Sequence, residues 1–251
     1  MSGHSKWASI KHKKAATDAK KGQVYTKIIR EITMAARGGG GDPEKNATLR
    51  TAMAKAKEAN MPSDNVKNAI MRGTGELPGI TYETVTYEGY GPAGIAIMAE
   101  AVTDNKNRTT AELRNIFSKK NGNLAGAGSV NWMFSKKGYI LVDKSLSKED
   151  ELMNLILEAG AEDMKSLDDN YEIITAVADL ENVKKALNEK GIMPQLAEMT
   201  MIPSSSIKVT GINNAKQILS LVEALEDHED VQHVYSNFDI PDEILEQSSV
   251  S

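Results

Sequence analysis

Thr74-Gly75-Glu76-Leu77-Pro78-Gly79-Ile80-Thr81-Tyr82-Glu83-Thr84-Val85-Thr86-Tyr87-Glu88-Gly89-Tyr90-Gly91-Pro92-Ala93-Gly94-Ile95-Ala96-Ile97-Met98-Ala99-Glu100-Ala101-Val102-Thr103 is where this 251-residue chain changes period. Upstream of it, apolar residues recur at helical spacing. From Tyr82 to Tyr90 they alternate, in a run rich in Thr, Val and Tyr, which is the pattern of a half-buried strand. Gly91 to Gly94 turns the chain and Ile95 to Thr103 runs back as an apolar strand, so the segment reads as a linker followed by a hairpin.

Working toward the N-terminus, Gln23 to Arg37 places Val24, Ile28, Ile32 and Ala35 on one face and Lys27, Arg30, Met34 and Arg37 on another. A helix is expected that buries one side and presents cations on the other. Gly38 to Gly41 ends it. Asp42 and Pro43 read as the cap and first residue of a second helix reaching about Ala59, with Leu49, Ala52, Met53 and Ala56 inward and Arg50, Lys55, Lys57 and Glu58 outward. A third, short helix starts from a Ser63 cap, turns Val66, Ala69 and Ile70 inward and stops at Gly73. The head is thus a small helical bundle.

Working toward the C-terminus, Asn107 to Lys119 reads as a helix with Thr109 and Glu112 at capping-box spacing. Val130 to Phe134 and Tyr139 to Val142 read as a second hairpin, turning through Lys136-Lys137-Gly138. Helices follow at Lys148 to Ala159, Leu180 to Lys190 and Ala215 to Leu225, interleaved with strands at Tyr171 to Ala178, Gln195 to Ile202, Ile207 to Val209 and Val231 to Phe238. Strands that arrive in pairs joined by short turns favour antiparallel sheets, so the fold class is α+β rather than a doubly wound parallel sheet. The first unit has too few strands before Ser129. The C-terminal helix and strand are therefore expected to return and complete it, giving a helical domain at 1–78, an α/β domain at 79–129 plus 204–240, an inserted α/β domain at 130–203 and a polar tail at 241–251.

Charge divides the chain along the same line. Residues 1–77 hold 15 Lys and Arg against 7 Asp and Glu, a net +8, in a chain whose total is −5, so the remainder carries −13. Within the head, Gly3 to Arg37 concentrates Lys6, Lys11, Lys13, Lys14, Lys20, Lys21, Lys27, Arg30 and Arg37 against Asp18 and Glu31. Clustered cations favour a polyanion as partner, because each phosphate contact releases condensed counterions. Up to Gly22 the arm has Trp7 and Ile10 as its large apolar side chains, so it gains little from packing and orders mainly on a partner. Trp7 either stacks on a base or pins the arm to the bundle.

Several classes are excluded or unsupported. The chain has no cysteine, which removes disulfides, thiolate nucleophiles and Cys-ligated zinc and fits a reducing cytoplasm. No run approaches a membrane span, and the N-terminus shows neither a secretory signal nor a myristoylation motif. His228-Glu229-Asp230-Val231-Gln232-His233 has its histidines five apart, which on a helix leaves them on different faces, so no metal site follows. Gly38 to Gly41 lacks the Gly-Lys-Ser/Thr of a phosphate loop, and no nucleophile elbow occurs; an enzyme is not expected and no cofactor is implied.

Gly3-His4-Ser5-Lys6-Trp7, Ile10-Lys11-His12-Lys13-Lys14, Gly39-Gly40-Gly41-Asp42-Pro43, Ala59-Asn60-Met61-Pro62, Arg72-Gly73-Thr74-Gly75-Glu76-Leu77, Tyr87-Glu88-Gly89-Tyr90-Gly91-Pro92, Asn107-Arg108-Thr109 and Gly128-Ser129-Val130 together resemble the YebC/PmpR family, colinearly along the chain. The resemblance implies three domains and a cytoplasmic bacterial protein. It also implies one of two jobs: members are generally described as DNA-binding transcriptional regulators, whereas the mitochondrial relatives are translational activators and bacterial members have been linked to ribosomes stalled on proline-rich nascent chains. Two positions depart from the family pattern: Lys21 replaces the commoner Arg, losing its fork for phosphate, and Asn121-Gly122-Asn123 replaces a Gly-Gly.

The expected function is a non-enzymatic DNA-binding regulator of gene expression, with a ribosome-associated translation factor that binds ribosomal RNA as the alternative. The expected contact residues are Lys6, Trp7, Lys11, His12, Lys13, Lys14, Lys20, Lys21, Lys27, Arg30, Arg37, Arg50 and Lys57. The acidic units are expected to serve a protein partner or self-association, or else to solubilise and space the head.

Overall fold

Helix α1 (Asp18–Gly39) is the spine of the head in the computed structural model, which describes residues 18–249. Helices α2 (Ala47–Glu58) and α3 (Ser63–Thr74) pack on it around Ile28, Ile32, Ala36, Leu49, Ala52, Ala56 and Ala69. So many alanines let the helices approach closely, and Gly73 sets the limit. A Cβ there would lie 2.5 Å from the Thr33 carbonyl oxygen and 2.7 Å from the Ala36 Cβ. Gly73 is therefore a packing residue inside α3, and the left-handed Gly75, at φ +84°, ends the helix instead.

The start of α2 also differs from the sequence expectation. Asp42 and Pro43 lie in a turn, where Asp42 Oδ1 accepts the Glu44 amide at 3.0 Å, and the helix cap is Asn46. Asn46 is buried and serves three backbone groups. Its Oδ1 accepts the Leu49 amide at 3.0 Å, and its Nδ2 donates to the carbonyls of Ala35 and Gly40, both at 2.8 Å. One side chain thus caps α2 and fastens the glycine turn to the end of α1, which Asp42 does not reach. Ser63 makes no side-chain cap to α3.

The change of period at residue 82 is a change of architecture. β1 (Glu83–Tyr90) and β2 (Ala96–Thr103) form the expected hairpin through a short 3-10 turn at Pro92–Gly94, in full antiparallel register from Glu83 opposite Thr103 to Tyr90 opposite Ala96. With β3 (Asn123–Leu124) and β9 (Val231–Ser236) they make a sheet of order β3-β1-β2-β9. Helices α4 (Lys106–Lys119) and α7 (Ile212–Glu226) cover one face, burying Tyr87, Ile97, Leu113, Phe117, Ile218 and Val222. A parallel pair, β8 (Ile207–Lys208) with β10 (Phe238–Asp239), flanks it.

A second antiparallel sheet, of order β5-β6-β4-β7, is built from β4 (Phe134–Asp143), β5 (Ala161–Ser166), β6 (Asn170–Thr175) and β7 (Leu196–Pro203). Helices α5 (Glu149–Glu158) and α6 (Leu180–Glu189) cover it over Ile140, Val142, Ile156, Ile173 and Val183. The fold class is α+β, as expected. The hairpin expected through Lys136-Lys137-Gly138 is instead one ten-residue strand, because β4 is central and pairs with β7 over its first part and with β6 over its second. Gly138 marks close packing rather than a turn: a Cβ would sit 2.2 Å from Thr175 Oγ1. β5 was not anticipated. Nor is the segment after 240 wholly a polar tail, since α8 (Asp242–Ser249) buries Leu245 in the first sheet's core.

The back of the first sheet is not open to solvent across its centre. Ala96 and Met98 of β2 pack with Val130 and Phe134, so the entry to β4 seals the face that α4 and α7 leave uncovered. Among these contacts Asn46 gives the simplest test. Asn46→Ala removes a cap and strands two carbonyls, and is expected to lower stability by about 2 kcal/mol in denaturant unfolding, with α-helical signal lost first. A change within error would refute its role.

Candidate nucleic-acid interface and the clamp behind it

Of the expected contact residues, Lys6, Trp7, Lys11, His12, Lys13 and Lys14 lie outside the described residues, as do the side chains of Lys20 and Lys21 in the first turn of α1. Lys27, Arg30 and Arg37 fall within about 80° of one another around α1, so they form one stripe. That stripe turns to the body: Arg30 is buried and Lys27 half-buried, while Arg37 bonds to the body yet stays exposed. Lys27 Nζ donates to the Glu226 carbonyl at the end of α7, and Arg37 donates to the Tyr82 carbonyl at 3.1 Å just before β1. Arg30 is buried, and its guanidinium lies 5.6 Å from the centre of the Tyr82 ring. The outward cationic face expected of Arg30 is thus corrected: this is the face by which the head docks on the body.

The anchor of the docking is Asp230, 2% exposed, in the residue before β9. Arg30 Nη1 meets its Oδ1 at 2.8 Å and also donates to the Glu229 carbonyl. From α4, Arg108 Nη2 reaches Oδ2 at 2.9 Å and Asp104 at 2.9 Å, while Thr109 donates its hydroxyl to the same Oδ2. Thr109 is therefore a buried partner of Asp230 and not a helix cap. The cap of α4 is Asn105, whose Oδ1 accepts the Arg108 amide at 3.1 Å. The backbone takes part too, because the Asp230 carbonyl accepts the Val102 amide at 2.8 Å beside a bulge in β9, where Gln232 is the extra residue opposite β2.

Burial alone would push the Asp230 carboxyl up. The Thr109 and Arg108 hydrogen bonds, with the charges of Arg30 and Arg108, hold it below the usual carboxylate range. Asp230 and Asp104 in turn push the Arg108 guanidinium still further up. Glu112, His228 and Asp230 bring three potential ligand atoms within 4.8 Å of one another. Their lone pairs are occupied, however: His228 Nδ1 accepts the Asp230 amide at 3.1 Å, its Nε2 lies 3.0 Å from Glu112, and both Asp230 oxygens hold guanidinium groups. A cation would have to displace two arginines, so the cluster is an ion-pair network rather than a metal centre.

The exposed cations among the described residues of the head are Arg37 at the end of α1, Lys45, Arg50 and Lys57 on α2 and its flank, and Lys67 and Arg72 on α3. Arg50 and Lys57 stand two turns apart on one exposed face of α2, with Arg50 also bonded to the Pro43 carbonyl at 2.7 Å. Lys55 is not among them, being half-buried and paired with Glu31 at 2.7 Å. Among the described expected contact residues, Lys27 and Arg30 are thus docked, Arg50 and Lys57 are exposed, and Arg37 is docked and exposed at once. Sequence reading gave Asp230 and Arg108 no role: Arg108 stood within the family-like Asn107-Arg108-Thr109 and Asp230 within a His-bearing run set aside as a metal site, and nothing local pairs two residues 122 apart.

Comparison with known proteins covers nearly the whole chain. The model of the TACO1/YebC protein N-terminal domain matches residues 5–76, and that of the TACO1/YebC second and third domain matches residues 82–238. A relative from Endomicrobium trichonymphae, called a "probable transcriptional regulatory protein", is 58% identical over 98% of this chain and 99% of its own. One of the same designation from Dictyoglomus turgidum is 56% identical over 99% and 100%. The crystal structure of a conserved hypothetical protein from Aquifex aeolicus superposes with a TM-score of 0.80 at 44% identity, covering 92% of this chain and 95% of that one.

Asp230→Asn is expected to lower stability by about 3 kcal/mol at neutral pH, because two guanidinium groups lose their counter-charge. The folded carboxyl ionises below its unfolded value, so this contribution is full above about pH 4 and is lost as pH falls through the lower folded value. The stability gap between wild type and variant should therefore narrow below about pH 4. A gap that stays constant down to pH 2 would contradict the clamp.

Proposed function

This chain belongs to the TACO1/YebC family, and from that premise we propose that it is a non-enzymatic, cytoplasmic DNA-binding regulator of gene expression. The observation that carries the reading is the charge division: a head of net +8 on a body of net −13. Such a molecule approaches a polyanion head first, since the body repels what the head attracts. The contact residues are Lys6, Lys11, Lys13, Lys14, Lys20 and Lys21 of the N-terminal arm, together with Arg50 and Lys57 on the exposed face of α2. Lysines act as point charges on phosphate, whereas base reading relies on Arg, Asn or Gln held in a groove, so binding is broad in sequence. The designation of the relatives as transcriptional regulatory proteins supports the regulatory part of the reading.

The second reading is a translation factor on ribosomal RNA that relieves stalled translation. It is favoured by the same lysine bias, which suits the irregular phosphate surface of folded RNA at least as well as a major groove. No helix among the described residues is long and apolar enough to cross a membrane, and neither reading calls for one.

Affinity for duplex DNA should fall steeply between about 50 and 200 mM salt, with the slope reduced by about 0.9 for each phosphate contact removed. Arg50→Ala with Lys57→Ala is expected to flatten the slope by about 1.8, and removal of residues 1–21 to flatten it most. An unchanged slope in both variants would refute the surface. Crosslinking in cells with sequencing of both polymers then separates the readings: discrete promoter peaks support transcription, and ribosomal RNA contacts without them support translation.

A further inference from the structure

The groups that Lys27, Arg30 and Arg37 meet on the body are the carbonyl oxygens of Glu226, Glu229 and Tyr82, the Asp230 carboxylate and the face of the Tyr82 ring. A phosphate presents acceptor oxygens of the same kind with at least as much charge. The stripe is also the next set of cations after Lys20 and Lys21, so it carries the charge of the arm onward along α1.

The docking is polar throughout. Each hydrophobic cluster among the described residues lies wholly in the head or wholly in the body, so no shared apolar core holds the two together. They are joined through residues 75–82, which contain no helix or strand and are mostly exposed. The docked form also leaves a donor unsatisfied. Arg30 is 7% exposed, and its Nε has no hydrogen-bond partner among the described residues. Burying one N–H of a guanidinium unpaired is a cost of docking that release removes. Asp230 is not abandoned when the head leaves, since Arg108 and the Thr109 hydroxyl stay on its Oδ2.

We propose that the docking is an autoinhibitory contact: nucleic acid draws the head off the body, and its phosphates replace the turn at residues 226–230 and Tyr82 on the stripe of Lys27, Arg30 and Arg37. The inference rests on reading the chain as a nucleic-acid binder, and adds the regulation of its basic head. The turn acts as an internal competitor. While it holds the stripe, apparent affinity is reduced in proportion to the fraction of molecules in the released form, and that fraction rises whenever the clamp is weakened. Release also moves the bound phosphates away from a body of net −13.

The test uses the full-length chain with mixed-sequence duplex DNA as probe. Lys27→Ala with Arg37→Ala is expected to lower the salt slope by about 1.8, as the loss of two phosphate contacts would. Asp230→Asn is expected to tighten binding at least about fivefold, whereas Glu229→Gln, which removes the same charge without removing a clamp side chain, changes it by less than about twofold. Because Asp230→Asn is also destabilised, movement of the head is read separately. The chain has no cysteine, so Asn68→Cys on α3 and Asp150→Cys on α5, both exposed, take a dye pair specifically. Saturating DNA is expected to shift the energy transfer between them. Unchanged transfer at saturation, together with an unchanged slope in the Lys27→Ala, Arg37→Ala variant, would overturn the autoinhibition; if the Arg50→Ala, Lys57→Ala variant still lowers the slope, the proposed function stands without it. No binding to any nucleic acid would overturn both.

Discussion

A carboxylate at the far end of the chain, held between two arginines, determines how the parts of this protein meet. Asp230 joins Arg30 of the head to Arg108 and Thr109 of the body, and its carbonyl joins β2 beside a bulge. A buried charge of this kind is weak evidence of net stability, because desolvation offsets much of the attraction. It is stronger evidence of specificity: removing either arginine leaves the other ion pair short of a partner, so only one docking of α1 satisfies all the groups. Lys27 on the Glu226 carbonyl and Arg37 on the Tyr82 carbonyl extend the same docking along the helix.

The elements were legible because their periods differ. Apolar spacing in α1 and alternation in β1 each report how one face is buried, and both survive in the sequence without knowledge of the partner. The misreadings share a cause, which is that local chemistry was asked to decide what tertiary packing decides. Lys136-Lys137-Gly138 looks like a turn, but a central strand with partners on both sides carries it straight through, and Gly138 is there to clear Thr175. Asp42-Pro43 looks like a helix start, but Asn46 can satisfy three backbone groups at once and Asp42 cannot. Thr109 and Glu112 stand at capping spacing, but burial of Thr109 beside Asp230 uses its hydroxyl elsewhere.

The candidate surface was legible in part, for a related reason. Counting charges locates the basic head, because long-range fields depend on net charge more than on fold. Periodicity shows that Lys27, Arg30 and Arg37 share a face, yet it cannot say whether that face meets phosphate or a carboxylate contributed by β9. The answer came from residues far away in sequence. What sequence reading called the cationic face of α1 is a docking face, and the exposed set is smaller than the count of cations suggests. Arg50 and Lys57 remain on α2, which lies on the side of α1 away from the docking stripe, and Arg37 stays exposed at the edge of that stripe.

On the proposed reading, the clamp also has a consequence for binding. A polyanion that meets the exposed cations of the head also feels the net −13 of the body, and how strongly depends on where the body stands. A freely swinging head would average that repulsion over many arrangements. A docked head fixes one arrangement instead, so the repulsion acts from one side and leaves a polymer the opposite side of the head to approach. Lys27 and Arg30 are spent on holding the head in place, and although in the docked form they touch no ligand they set the geometry in which the exposed cations act.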